Sequence, residues 1–164
     1  MTIRFGILTL SDRSARGERV DASGPALAEL IHAQGWSATR QEILPDDESA
    51  IRAALIEWAD SGQVDIILTT GGTGFAPRDI TPEATRAVIQ RDAPGLAEAM
   101  RAESLKKTPH AMLSRAVAGI RGRTLIVNLP GSPKGAVENL QTILPVLPHA
   151  VQLLTDDPGS EASH

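Results

Sequence analysis

Three glycines in four residues, Gly71-Gly72-Thr73-Gly74, come just after a predicted strand at 64–69, a short run rich in apolar and β-branched side chains. A run of that kind is a strand buried on both faces. The glycines then remove the Cβ atoms that would bar positive φ and close backbone approach. A loop so built can turn several N–H groups toward one point and cradle an anion such as phosphate. Downstream, Asp79-Ile80-Thr81-Pro82-Glu83 reads as a carboxylate beside a helix start, with Thr81 as N-cap and Pro82 at the first helical position. Strand, phosphate loop, carboxylate and helix thus fall close together, in the layout of an active site.

Two familiar phosphate motifs are missing. No G-x-x-x-x-G-K-[ST] occurs, which argues against an ordinary P-loop NTPase. After Gly72-Thr73-Gly74 the third glycine of a dinucleotide fingerprint is replaced by Pro77, which disfavours a nicotinamide-dependent oxidoreductase. A plain tight turn is the alternative reading of the loop.

Apolar and helical periodicities alternate along the chain. Residues 3–10 read as a strand, and a helix starts at Ser23-Gly24-Pro25 with Leu27, Leu30 and Ile31 on one face. A strand fits within 37–44. Asp46 or Asp47 caps the next helix, in which Ile51, Ala54, Leu55 and Trp58 share a face. Helical segments are predicted around 82–92 and 96–107. Another buried strand, Thr124–Leu129, leads into Pro130-Gly131-Ser132-Pro133-Lys134 and a final helix disturbed by Pro145 and Pro148. This pattern predicts a three-layer αβα sandwich with a mostly parallel sheet, one domain over residues 1–155, and a frayed acidic tail over 156–164.

Composition narrows the function. A net charge of −4 without any Lys/Arg cluster argues against nucleic acid, and four aromatic residues are too few for a base-stacking platform. The absence of cysteine removes disulfides, thiolate metal ligands and a Cys nucleophile. It also suits a reducing cytoplasm. No apolar run is long enough to cross a bilayer, and Asp12 and Arg13 interrupt the N-terminal apolar stretch where a signal peptide would continue. A cytoplasmic protein without a membrane or nucleic-acid partner is expected. The four histidines show no metal-ligand spacing.

In a parallel sheet, ligands sit at the carboxyl ends of the strands. Four loops leave those ends, carrying Asp12, then Asp46 and Asp47, then the glycine loop through Asp79, then Pro130–Lys134. Lys134 falls in a first helical turn, where the helix dipole disfavours a cation. Two anion-friendly loops facing several carboxylates describe a site for a phosphorylated ligand with a divalent cation. Taken singly, Asp46 or Asp47 is a helix cap, Asp79 seeds a turn, and Lys134 is solvated surface.

The motifs TTGGTGFAPRDITPEAT, LTLSDRSARGERVDASGPAL, LPDDE and LSRAVAGIRGRTLIVNLPGSPKGAVENL, in place from about residue 3 to 154, resemble the MogA/MoaB family of molybdenum-cofactor biosynthesis. That family includes molybdopterin adenylyltransferases and a domain of gephyrin. The resemblance implies a homotrimer that uses Mg²⁺ and ATP to adenylylate molybdopterin, releasing pyrophosphate. It also implies the pathway's molybdenum-insertion enzyme as a partner. The family's two acids fall on Asp46 and Asp79, as catalytic residues and Mg²⁺ ligands, directly or through water. Asp12, Thr70, Gly71, Gly72, Thr73, Gly74, Ser114, Arg115, Pro130, Gly131, Ser132 and Lys134 are the implied phosphate, nucleotide or pterin contacts. Some MoaB-type members lack the acids and are inactive, so retention of both points to the active side. A binding trimer that hands on molybdopterin without catalysis is the alternative.

Overall fold

The computed structural model describes residues 1–155, so the expected tail at 156–164 lies outside the described residues. In chain order the elements are β1 (Arg4–Leu10), α1 (Asp12–Ala15), α2 (Ser23–Ala33), β2 (Ser37–Leu44), α3 (Glu48–Asp60), β3 (Ile66–Thr70) and α4 (Thr81–Val88). They continue with β4 (Arg91–Asp92), α5 (Pro94–Leu105), β5 (Ala118–Arg121), β6 (Thr124–Leu129), α6 (Pro133–Ile143) and α7 (Leu147–Leu154).

The six strands form one sheet in the order β2-β1-β3-β6-β5-β4. The pairs β1–β2, β1–β3 and β3–β6 are parallel, whereas β5 and β4 add on antiparallel. The helices cover both faces, as expected from strands without polar alternation. One core joins Phe5 and Ile7 of β1 to Leu27 and Ile31 of α2 and Leu140 of α6. The opposite core joins Leu8 and Leu10 to Ile51, Leu55 and Trp58 of α3 and Val88 of α4. Gly6 is required between them: a Cβ there would lie 2.7 Å from the Trp58 ring, which is 1% exposed.

Two predicted helices end early. The segment expected at 82–92 stops at Val88, because Gln90 N–H donates to Ile120 O and Ala93 N–H to Ala118 O, drawing the chain into the sheet edge. The segment expected at 96–107 runs from Pro94 to Leu105. Strands β4 and β5 escaped the sequence reading, since neither carries an apolar run. The available signal was the two-residue connection Gly122-Arg123 between β5 and β6, with Gly122 at φ +58°. The predicted disturbance at the prolines is observed: α6 ends at Ile143, a 3₁₀ turn spans Leu144–Val146, and α7 begins with Pro148 in its first turn. Among the described residues no helix is long and apolar enough to cross a membrane.

Strands β1 and β3 are neighbours, but their connections depart to opposite sides, one to β2 and the other toward β6. The carboxyl ends of β1 and β3 therefore open a crevice at a topological switch point. Fully buried Asn128 ties that edge together. Its Nδ2 donates to Thr69 Oγ1 (2.9 Å) and Thr85 Oγ1 (3.0 Å), and its Oδ1 accepts from Val117 N–H (3.1 Å). Replacing Asn128 by Ala leaves the buried Thr69 and Thr85 hydroxyls and the Val117 amide without their partner, so a urea melt should show a loss of about 1–3 kcal/mol. A change within experimental error would contradict this role.

Candidate functional site

The ends of β1, β3 and β6 meet at one glycine. Gly71 has φ +106°, its amide donates to Leu129 O (3.1 Å), and a Cβ on it would lie 2.4 Å from Leu10 O. A Cβ on Gly131 would in turn lie 3.3 Å from the Gly71 Cα. Gly72 follows with φ +69°. The hydroxyls at this edge hold neighbouring turns: Thr70 Oγ1 donates to Pro130 O (2.7 Å) and Ser23 Oγ to Gly131 O (2.6 Å). Thr81 is not the N-cap the sequence suggested. It is the first residue of α4, where its N–H donates to Gly72 O (3.1 Å) and its hydroxyl to Gly71 O (3.0 Å). The loop carbonyls are thereby turned toward the helix. The amides of Gly72, Thr73 and Gly74 have no protein acceptor among the described residues, the state expected of an anion cradle.

Asp12 and Asp46 form a reciprocal pair across the ends of β1 and β2. Asp12 N–H donates to Asp46 Oδ2 (3.1 Å) and Asp46 N–H to Asp12 Oδ1 (3.0 Å). Arg78 closes the ring, its Nε and Nη2 on the Asp12 carboxylate and Nη2 also on Asp46 O. The hydrogen-bonded Arg78 holds the Asp12 carboxyl below its ordinary range. Asp46 is opposite in character. Its Oδ1 is buried without a hydrogen-bond partner among the described residues. Burial chiefly, with the charges of Asp12 and Asp79, pushes its carboxyl above the ordinary carboxylate range. Asp47 is the helix cap, accepting from Ala50 N–H (2.8 Å), which frees Asp46 from that task. Asp79 Oδ2 accepts from Ala76 N–H (3.0 Å) inside the loop.

Arg115 staples the glycine loop. Its Nε donates to Gly74 O (2.8 Å), Nη2 to Asp79 O (2.6 Å), and its guanidinium forks onto the Glu83 carboxylate. Its backbone N–H donates to Thr73 O (2.8 Å). A side chain so engaged supports the cradle from behind.

Two cavities flank the ridge formed by the glycine loop and the Pro130–Ser132 turn. The first, about 360 Å³, is lined by Asp46, Asp79, Thr70, Gly71, Gly72, Gly131 and Ser132, together with Ser11, Ser14, Arg19 and Asp21. The second, about 300 Å³, is lined by Thr73, Gly74, Ser114, Pro130 and Ser132, with Arg101, Ser104, Lys107, His110 and Asn139. Ser132 borders both and also caps α6, accepting from Gly135 N–H (3.1 Å).

The residues named from sequence are thus brought to the two cavities, with three exceptions. Arg115 staples the glycine loop and lines neither. Lys134 is exposed on the first turn of α6 and lines neither cavity; Asp12 faces Arg78 and likewise lines neither. Sequence reasoning missed Arg78, Glu83 and Asp21. Asp21 stood two residues before a helix start, which is a capping signal. It accepts from the Ser23 and Gly24 amides and from Thr9 Oγ1.

A family model described as "Probable molybdopterin binding domain" matches residues 6–149 of this chain. The chain is 48% identical over 158 residues to the molybdenum cofactor synthesis protein cinnamon of Drosophila melanogaster, covering 95% of this chain but only 26% of the fly protein. It therefore spans about a quarter of that relative. With a molybdopterin adenylyltransferase of Helicobacter pylori it shares 45% identity over 155 residues, 93% of this chain and 88% of the relative. The crystal structure of the molybdopterin biosynthesis enzyme MoaB from Thermus thermophilus is 55% identical and superposes with a TM-score of 0.90, covering 96% of this chain and 99% of that one.

Gly72 tests whether the loop is a cradle or a connection. A Cβ there would lie 2.3 Å from Thr81 Oγ1 and 3.1 Å from Asp46 Oδ1, on a residue with φ +69°. Gly72→Ala should cost about 1–2 kcal/mol from the left-handed backbone alone, read as a lowered melting temperature. Gly72→Val should also abolish binding of phosphorylated ligand in the fraction that folds. Calorimetric titration showing unchanged affinity in folded Gly72→Val would leave the loop a mere connection.

Proposed function

This chain belongs to the molybdopterin-binding domain family, and on that premise we propose that it is a molybdopterin adenylyltransferase acting in molybdenum-cofactor biosynthesis. The observation that carries the reading is the buried, unpartnered Asp46 Oδ1, held on the same strand edge as Asp79 and three free loop amides. A carboxylate left so, at a cost in stability, marks a place where a ligand or cation completes the structure.

The chemistry fits a chain with no thiol and no Ser–His pair. An oxygen of the terminal phosphate of molybdopterin forms a bond to the α-phosphorus of ATP. The bond from that phosphorus to the bridging oxygen breaks, and pyrophosphate leaves with the electron pair. No protein nucleophile is needed; the protein must align two polyanions and offset their charge. The amides of Gly72, Thr73 and Gly74 and the Gly131-Ser132 turn hold phosphates. The first cavity, with its carboxylates, receives the triphosphate, and the less polar second cavity receives the pterin. Asp12, Arg78 and Arg115 position the loops.

The donor set fits Mg²⁺. Among the described residues no group of three or more His, Cys, Asp or Glu side chains could enclose a metal. Mg²⁺ characteristically takes one or two carboxylates and completes its shell with water and substrate phosphates. Asp46 Oδ1 and Asp79 would hold it, and when bound it would neutralise charge on the triphosphate. A homotrimer belongs to the same proposal, supported by Val146 and Leu153, apolar residues about half exposed on the C-terminal segment. A cytoplasmic location and hand-over to the molybdenum-insertion enzyme complete it. The non-catalytic binding trimer is disfavoured by the retention of both acids.

Three outcomes are expected. Asp79→Asn should fold normally and lower pyrophosphate release from ATP and molybdopterin by roughly 10²–10³-fold, the scale of one preorganised electrostatic group. Full activity in the folded variant would sink the assignment. Light scattering should give the mass of a trimer; a concentration-independent monomer would rule it out.

Asp46→Asn should raise the melting temperature of the ligand-free protein at neutral pH while removing its response to Mg²⁺. The sign follows from the raised carboxyl. Between the unfolded and folded values the native chain holds more protons, so stability falls as pH rises through that window. The gain from Asn should therefore shrink as the pH is lowered into the carboxylate range. A variant less stable than wild type at neutral pH would contradict the account of Asp46.

A further inference from the structure

The triphosphate cavity is lined by three carboxylates, Asp21, Asp46 and Asp79, and by one basic side chain, Arg19. Arg19 is exposed and makes no ion pair or hydrogen bond among the described residues. Its isolation is unusual, because acids lie close to it in sequence. Glu18 is paired with Arg16 (3.0 Å), and Asp12 with Arg78. Asp21 has both oxygens occupied, one by the Ser23 and Gly24 amides and the other by Thr9 Oγ1. The three acids nearest to it in sequence are thus already partnered.

The backbone around Arg19 has the same character. The strap is anchored at its start by Gly17 N–H on Ser14 O and Glu18 N–H on Arg13 O, and at its end by the Asp21 carboxylate. Between these anchors Arg19 and Val20 make no backbone hydrogen bond among the described residues, and Val20 is 88% exposed. Both residues nevertheless border the cavity. Lys134, the cation expected from sequence, does not reach it.

We infer that Arg19 is a substrate-binding residue: its guanidinium engages the β- and γ-phosphates of the nucleotide in the cavity it shares with Asp46 and Asp79. The inference rests on the assignment of the triphosphate to this cavity. Arg is suited to the task, because its planar fork meets two phosphate oxygens at once and carries charge at any working pH. The strap thereby adds a cation to a cavity whose other charged side chains are carboxylates.

Calorimetric titration with Mg·ATP, Mg·tripolyphosphate and AMP tests this on the intact chain, using Arg19→Gln and Arg19→Lys. Affinity of Arg19→Gln for Mg·ATP and for tripolyphosphate should fall about 10- to 100-fold, the scale of a hydrogen-bonded charge contact. Arg19→Lys should recover part of the loss, AMP should be affected little, and the melting temperature of the free protein should not move. Equal affinity of Arg19→Gln and wild type for tripolyphosphate would overturn the inference, even in a protein that adenylylates molybdopterin. Loss of affinity in Arg19→Gln would support it, even if no adenylylated product formed and the enzymatic reading failed.

Discussion

Three parallel strands can bring their carboxyl ends together here only because Gly71 lacks a side chain. At φ +106°, with Leu10 O in the place a Cβ would take, no other residue closes the contact between β1, β3 and β6 without displacing one of them. The rest of the site follows from that approach. It sets Gly72 against Thr81, turns the loop carbonyls into α4, and leaves the next amides pointing away from the protein's own acceptors. The Pro130–Ser132 turn is drawn in by Thr70 and Ser23 hydroxyls, forming a ridge with a cavity on either side.

Charge is arranged around that ridge by contrast. Asp12 and Glu83 each have an arginine, and both carboxyls are held below their ordinary range by it. Asp46 sits next to Asp12 in a reciprocal backbone pair, yet its buried Oδ1 has nothing to accept from among the described residues and its carboxyl is raised. One acid is thus a fixed structural anion and its neighbour is an unsatisfied one. Arg78, Arg115 and Asp21 fix the loops so that Asp46 and the amides cannot relax onto each other. Functional sites commonly keep such unsatisfied groups at the expense of stability.

The parts legible in sequence were those with a local cause. Strands β1, β3 and β6 announce themselves as apolar runs, α2 and α3 by their periodicity, and the proline breaks after Ile143 by a missing N–H. The glycine loop and both family acids were equally visible. Strands β4 and β5 were not, because their pairing is set by the far edge of the sheet and not by their own residues. The role of Arg115 was hidden for a similar reason. A basic residue near a phosphate motif reads as an anion ligand, and only the fold reveals that Glu83 and two loop carbonyls occupy its guanidinium. Which of Asp46 and Asp47 caps α3 was open in the sequence, since either side chain can do so; the hydrogen bond from Ala50 decides for Asp47.

The central claim is that Asp46 is kept unsatisfied for a cation-bound phosphate ligand. Site-resolved carbon NMR of the Asp46 carboxyl, titrated with pH in the free protein and again with Mg·ATP, measures this directly. The account predicts a carboxyl titrating above the ordinary aspartate range when free and driven below it by Mg·ATP, while Asp12 titrates low in both. An Asp46 that titrates normally, or whose titration is indifferent to Mg·ATP, would contradict it.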